Sequence, residues 1–518
     1  MERPHDILLR MANRYWLALI FLICPLLLFG GKLQNGPMLG YATMAEVLIW
    51  VQTDSPATVH IHYWELDSPE KVLQTDAVET KKATAFVAKC IADQVREGTG
   101  YGYAVYIDGE KVEPQFREGF AEGAIPMTFE TPPNWRFRKS GHAVQDFTVG
   151  FGSCAYVNEP EGGYDRMNSE TPYGQDYQIF ESIYTVDPDF FIWLGDNVYY
   201  REPDWTTRTG MIHRWTHDRS LPELRPMLAN IPQYATWDDH DYGPNDIGRF
   251  YWNKAEATEI FSLFNGNPTA GLPELPGIFT YFAWGDVHFY LTDNRTYRTL
   301  SVEKANSEPY GYKPQMLGKE QIDWMVDLMK YHRWQSRSSY PCSFHVVATG
   351  NPVLSPYDKD SLSRFPDEWQ YLFDRLVEEE IHNVIFISGD VHTSEASRMV
   401  YIGGGQAGVP AKAGQKDKEY IFWDITSSPL TAGPWEGAPA TENPYRVDIF
   451  PGEPDRYGQR NFATLSFQGE MHNRQAVIRF YDSNGKLLNQ DPNKAPGETT
   501  EASIIQSREL ILDRDPYK

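Results

Sequence analysis

Seven short, largely apolar runs punctuate the middle of this chain, at 147–151, 190–194, 234–237, 287–291, 344–349, 384–387 and 420–425. Between several of them lie helical patterns with apolar residues at i, i+3 and i+4, the clearest at 175–184, 319–332 and 367–380. Strands without polar alternation must be covered on both faces, and interspersed amphipathic helices can supply part of that cover. The pattern predicts an α/β domain from about residue 146 to the end of the chain.

Nearly every run ends in polar residues. The first gives Gly152, Ser153 and Cys154; the second Gly195, Asp196, Asn197, Val198 and Tyr199; the third Asp238, Asp239, His240 and Asp241. Later runs give Asp293, Asn294 and Arg295, then Gly389, Asp390, Val391 and His392, then Thr426, Ser427 and Ser428. Ligands of open α/β sheets bind outside the carboxyl ends of the strands, so these distant residues should converge there. Carboxylates and imidazole suit hard or borderline cations, while a thiolate or phenolate suits iron or zinc. A cluster of two or three ions requires one shared carboxylate.

Residues 40–130 carry strand-like segments at 45–52, 58–63 and 101–107 between turn-rich stretches, and predict a β-sandwich of the immunoglobulin or fibronectin kind. Residues 131–146 are polar with two prolines and read as a linker; 400–418 and 431–460 read as long loops. The segments 462–467 and 475–481 alternate like an antiparallel hairpin, with a turn at 483–486 beyond it.

The first 31 residues place Arg3, Arg10 and Arg14 before an apolar run at 15–29. This is the pattern of a secretory signal peptide, or of an uncleaved signal anchor. At ~15 residues the run is short for a spanning helix of roughly 20. The protein is expected to be exported, with membrane contact only through this segment if it is retained. A net charge of −24 argues against a broad nucleic-acid surface. A small anionic substrate is compatible if metal ions supply the positive charge. Four cysteines are too few for a disulfide framework. Cys24 lies in the apolar run, so at least one of the other three is a free thiol or a ligand.

The motifs GSC at 152–154, GDNVY at 195–199, WDDHD at 237–241, TDNRTYR at 292–298 and GDVH at 389–392 together resemble the PhoD-like alkaline phosphatases of the metallophosphoesterase superfamily. The resemblance covers about 40–510 and implies an αββα catalytic domain behind an immunoglobulin-like one. It implies Asp196 as the bridging carboxylate, with Cys154, Tyr199 and His392 on a ferric ion. It implies Asp239 and Asp390 on a second ion, calcium by family expectation, with Asp238 beside them. His240 would stabilise charge on the phosphoryl group or protonate the leaving group, and Arg295 would bind phosphate. The sequence after WDDHD departs from many relatives, and Asn245 would supply an amide to ligand or substrate. Other divalent metals would also suit such sites. The implied reaction is hydrolysis of a small phosphate ester by in-line attack of a metal-activated hydroxide. Alternatives are a phospholipase-D-like phosphodiesterase on lipid head groups, and an exported adhesion module that keeps the fold without catalysis. None of the six core ligands is replaced, which speaks against the last.

Overall fold

The computed structural model describes residues 30–117, 120, 125–134, 144–160, 172–301, 313–336, 342–356, 360–402, 419–435, 443–450, 457–470, 473–491, 493–495 and 497–507. The expected signal segment lies outside them up to residue 29, as do 135–143 of the expected linker and 403–418, 436–442 and 451–456 of the expected loops.

The fold is mixed α/β with several sheets. In the N-terminal part, β1 (Leu33–Ala42), β2 (Val47–Thr53) and β6 (Val87–Ala92) form one sheet in the order β1-β2-β6. The second is β4 (Leu73–Gln74), β3 (Thr58–Glu65), β7 (Gly100–Ile107) and β8 (Glu110–Val112), with β5 (Val78–Glu79) on β3 and β9 (Thr128–Glu130) on β7. Alternate side chains of both sheets share one core, including Val47, Ile49, Ile61, Cys90 and Val105. The sequence reading found three of these strands. It missed β1, which starts at Leu33 ahead of the expected boundary at 40, together with β6 and the short strands β4, β5, β8 and β9.

The larger part holds two six-stranded sheets. The first runs β12 (Gln233–Thr236), β11 (Phe190–Leu194), β10 (Phe147–Gly152), β19 (Asn461–Gln468), β20 (Gln475–Asp482), β21 (Ile504–Gln506). The second runs β13 (Thr280–Trp284), β14 (Val287–Leu291), β15 (Phe344–Ala348), β16 (Val384–Ser388), β18 (Glu419–Ser427), β17 (Ser394–Ile402). In each sheet the strands from the apolar runs are parallel: β10, β11 and β12 in one, and β14, β15, β16 and β18 in the other. Phe151, Ile192 and Leu465 from the first sheet pack in one cluster with Phe289, Val346 and Ile387 from the second. On the outer face of the first, Phe191 and Trp193 meet Ile183, Met211, Trp215 and Phe261 from helices. On the outer face of the second, Val347 and Phe386 meet Met325, Met329, Leu372 and Phe373. The layer order is therefore helix, sheet, sheet, helix, so each inner strand is apolar on both sides.

Two expectations need correction. Residues 400–402, read as the start of a loop, close β17. Along that edge strand Met399 and Tyr401 are buried while Arg398 and Val400 are exposed, so it carries no continuous apolar run. The helices Arg208–Arg219, Arg225–Asn230 and Lys254–Phe264 were not anticipated. In the first of these the buried Arg214 pairs with Asp204 and Asp218, which hides the apolar pattern.

The N-terminal sheets are tied directly to the helix layer. Tyr103 donates to the Ala229 carbonyl at 2.6 Å and Trp50 Nε1 to the Leu263 carbonyl at 2.8 Å. Lys89 Nζ reaches the Ser262 and Asn265 carbonyls at the end of helix Lys254–Phe264. There the ammonium meets the negative end of the helix dipole.

Candidate metal centre

The strand ends of both sheets meet at one point, and the chain leaves them through unusual backbone. Cys154, Asp196, Asp390 and His392 all have positive φ, between 52° and 71°. L-residues seldom occupy this left-handed region, and such conformations concentrate at functional sites. Gly195, at φ 90°, is forced for a further reason: a Cβ there would stand 2.7 Å from that of Asp238.

On one side of Asp196 sits a thiol, a phenol and an imidazole. Cys154 Sγ lies 3.6 Å from Asp196 Oδ2 and accepts from Ser428 Oγ at 3.1 Å. Tyr199 OH lies 3.3 Å from His392 Nε2. The other ring nitrogen, Nδ1, is 2.5 Å from the Gly433 carbonyl, which can only accept. That bond puts the proton on Nδ1 and leaves the Nε2 lone pair facing the site. The Ser428 hydroxyl also accepts from the His392 backbone N–H at 3.1 Å, linking thiol and imidazole.

On the other side the donors are carboxylates. Ligand atoms of Asp196, Asp238 and Asp390 lie within 4.8 Å of one another, and so do those of Asp196, Asp239 and His240. Asp196 belongs to both groups. Asp238 Oδ1 receives Arg295 Nε and Nη2 and, at 2.7 Å, Asn294 Nδ2. Asp239 Oδ2 accepts from the Asp246 backbone N–H at 2.5 Å, while its buried Oδ1 has no hydrogen-bond donor among the described residues and lies 3.9 Å from Arg295 Nη2. The His240 ring lies beside that of Tyr199, centroids 4.2 Å apart and tilted by 31°, and its backbone N–H donates to Asp196 Oδ1 at 3.2 Å.

The electrostatics ask for cations. Burial raises Asp196 well above the ordinary carboxylate range, and Cys154, Asp239, Asp238 and Asp241 add to the rise. Burial likewise lifts Asp238 to about 7 against the pull of Arg295. For Asp239 burial is outweighed by Arg295, His240 and the Asp246 amide, which hold it below the usual range. Burial also raises Cys154 and Tyr199 and lowers His240 and His392. Clustered buried acids with one orphaned oxygen fit metal ions, which would neutralise them without a proton.

A family model described as PhoD-like phosphatase matches residues 168–472. The chain belongs to that family. A second model, for a domain of unknown function (DUF7800), matches residues 30–125. This PhoD-like chain is similar to alkaline phosphatase D of Bacillus subtilis, at 22% identity over 354 residues. That match covers 59% of this chain and 57% of the relative, so it spans little more than half of that protein. In fold it resembles a solved structure of PhoD, with a TM-score of 0.65 at 17% identity over 91% of each chain. It also resembles a purple acid phosphatase from yellow lupin seeds, with a TM-score of 0.57 at 11% identity, covering 88% of this chain and 73% of that one.

Within the PhoD-like chain, the structure gathers Cys154, Asp196, Tyr199, Asp238, Asp239, His240, Asp390 and His392. It differs from expectation at three positions. Asp238, rather than Asp239, groups with Asp196 and Asp390. Strand alternation does not separate Asp238 from Asp239, because β12 ends at Thr236 and Asp238 caps the short helix Asp239–Tyr242. Arg295, expected on substrate phosphate, is buried with Nε and Nη2 on Asp238, while its Nη1 has no hydrogen-bond partner among the described residues. Asn245 is exposed, outside the buried group, one residue before the Asp246 amide that binds Asp239. The sequence reading missed Ser428, named only as a run end, and Asn351, two residues past the end of the 344–349 run.

Proposed function

We propose that this chain is an exported, metal-dependent phosphoesterase acting on small phosphate esters. The observation that carries the reading is the position of Asp196, shared by two groups of ligand atoms and 3.6 Å from the Cys154 thiol. In this reading Cys154, Asp196, Tyr199 and His392 hold a ferric ion. Asp196, Asp238 and Asp390 hold a second ion, calcium or another divalent cation, with Asp239 alongside. Bound there, such ions supply Lewis-acid charge to phosphoryl oxygens and make water nucleophilic near neutral pH.

The protein's own contribution is placement. His392 is oriented by the Gly433 carbonyl, and Ser428 supports the thiol. Arg295 pulls Asp238 toward its ionised form through Nε and Nη2 and keeps Nη1 as the donor for substrate phosphate. His240 is neutral because burial lowers it, and it offers a ring N–H to the phosphoryl group. Residues 1–31 act as signal peptide or anchor, 40–130 as an immunoglobulin- or fibronectin-like domain, and 146–518 as the catalytic domain. Among the described residues no helix is long and apolar enough to cross a membrane.

The test combines elemental analysis of purified protein with hydrolysis of p-nitrophenyl phosphate and of its bis-ester. Bound transition metal and hydrolysis of either ester support the reading, and the ratio of rates assigns monoesterase or diesterase. Protein that holds no transition metal and stays inactive after addition of iron and calcium would refute it.

A further inference from the structure

We infer that Asn351 is a positioning residue, an amide clamp that sets the separation of Asp238 and Asp390 and so governs occupancy of the carboxylate side of the site. The inference rests on the metal-dependent reading above.

Asn351 is fully buried. One N–H of its Nδ2 reaches Asp238 Oδ2 at 2.9 Å and the other reaches Asp390 Oδ2, also at 2.9 Å. Its Oδ1 accepts from Asn294 Nδ2 at 2.7 Å, Arg298 Nη1 at 2.8 Å and Arg295 Nη2 at 3.4 Å. Reversing the amide would set its NH₂ against three donors and its oxygen against two carboxylates, so the orientation is fixed. With its oxygen committed to those donors, Asn351 acts on the carboxylates and is not itself a ligand.

The two carboxylates come from different sheets, Asp238 after β12 in the first and Asp390 after β16 in the second. A single amide therefore joins the sheets at the mouth of the sandwich. Its own loop is pinned. The Gly389 N–H donates to the Gly350 carbonyl at 3.0 Å. Val353 and Leu354 N–H groups donate to Asp424 Oδ2 at 2.7 and 2.8 Å, and Ser388 Oγ donates to Asp424 Oδ1 at 2.9 Å. Gly350 allows the approach, since a Cβ there would meet Asp238 Cβ at 2.9 Å. Buried carboxylates that repel one another need such a donor pair to stay within reach of one ion. Partners that orient metal ligands are worth about 10–100-fold in affinity.

The test uses the full chain, stripped of metal and titrated with Mn²⁺ by equilibrium dialysis after one equivalent of iron has been restored. Wild type should take up Mn²⁺ in addition to iron. Asn351→Ala should keep the iron and its visible absorption, bind Mn²⁺ about 10–100-fold more weakly, and recover activity as Mn²⁺ is raised. A melting curve in chelator checks that the variant is folded. If it is not, Asn351→Gln decides: its longer side chain cannot keep both contacts, so Mn²⁺ binding weakens severalfold. Mn²⁺ affinity equal to wild type in a folded variant overturns this inference alone. Wild type that binds iron but no Mn²⁺ overturns it together with the two-ion reading.

Discussion

The two sides of Asp196 hold their donors by different means. On the thiol side Cys154 and His392 sit in left-handed backbone, as Asp390 does on the other, and the bonds that orient them, from Ser428 and to Gly433, are with neutral partners. On the carboxylate side, charge meets charge: Arg295 and Asn351 satisfy Asp238, and Arg298 backs Asn351. Backbone geometry fixes a donor whether or not a cation is bound. Charge balance does not, because the surplus of acids over guanidinium groups changes when a cation arrives. The thiol side should therefore resemble a preformed socket, and the carboxylate side should depend strongly on pH and on metal.

The largest effect should come from the residue both sides share. Asp196→Asn should lower hydrolysis of bis-p-nitrophenyl phosphate by about 10³-fold or more, the scale of losing a preorganised charge-stabilising group. A smaller loss would mean that the sides work independently. Next, Arg295→Met should destabilise metal-free protein by about 3 kcal/mol in urea titrations at pH 8, the lower end for breaking a buried ion pair. The loss should shrink at pH 5, where Asp238 takes a proton, and on addition of Mn²⁺.

A pH series on metal-free wild type sharpens the same point. Asp196 and Asp238 are raised in the folded protein, Asp238 to about 7, so the folded state holds protons that the unfolded chain releases. Stability should therefore fall as pH rises from about 4 through about 7, and metal should restore it at the upper end. Asp239 and the buried His240, His345 and His392, all lowered, work the other way, while Asp189, Asp241, Glu368 and Asp424, all raised by burial, add to the fall. Stability that rises over this window would break the account. The smallest effect belongs to the thiol side. Ser428→Ala removes its hydrogen bond to the sulfur, a thiolate once iron is bound, and its bond from the His392 N–H; at about 1.5 kcal/mol this is roughly tenfold faster loss of iron to a chelator. Mn²⁺ affinity on the other side should not move.

The difference also explains what could be read in advance. Strands covered on both faces announce themselves as apolar runs, so β10, β11, β14, β15, β16 and β18 were legible, while the edge strand β17 was not. Residues that emerge directly after a run, such as Cys154, Asp196 and Asp390, were legible for the same reason. Direction was not. Nothing in the spacing of TDNRTYR says that Arg295 places Nε and Nη2 on Asp238. Asn351 was hidden because Gly350, Asn351 and Pro352 look like any turn, and its role exists only where two sheets bring Asp238 and Asp390 together. A parallel strand end followed by Gly-Asn was the one available signal.

The central claim is that Asp196 joins two cation positions, and elemental analysis of wild type beside Asp196→Asn tests it most directly. Wild type should carry at least two ions per chain, one of them a transition metal, and the variant should lose ions from both sides while remaining folded. A folded Asp196→Asn protein that retains the full wild-type complement would contradict the account.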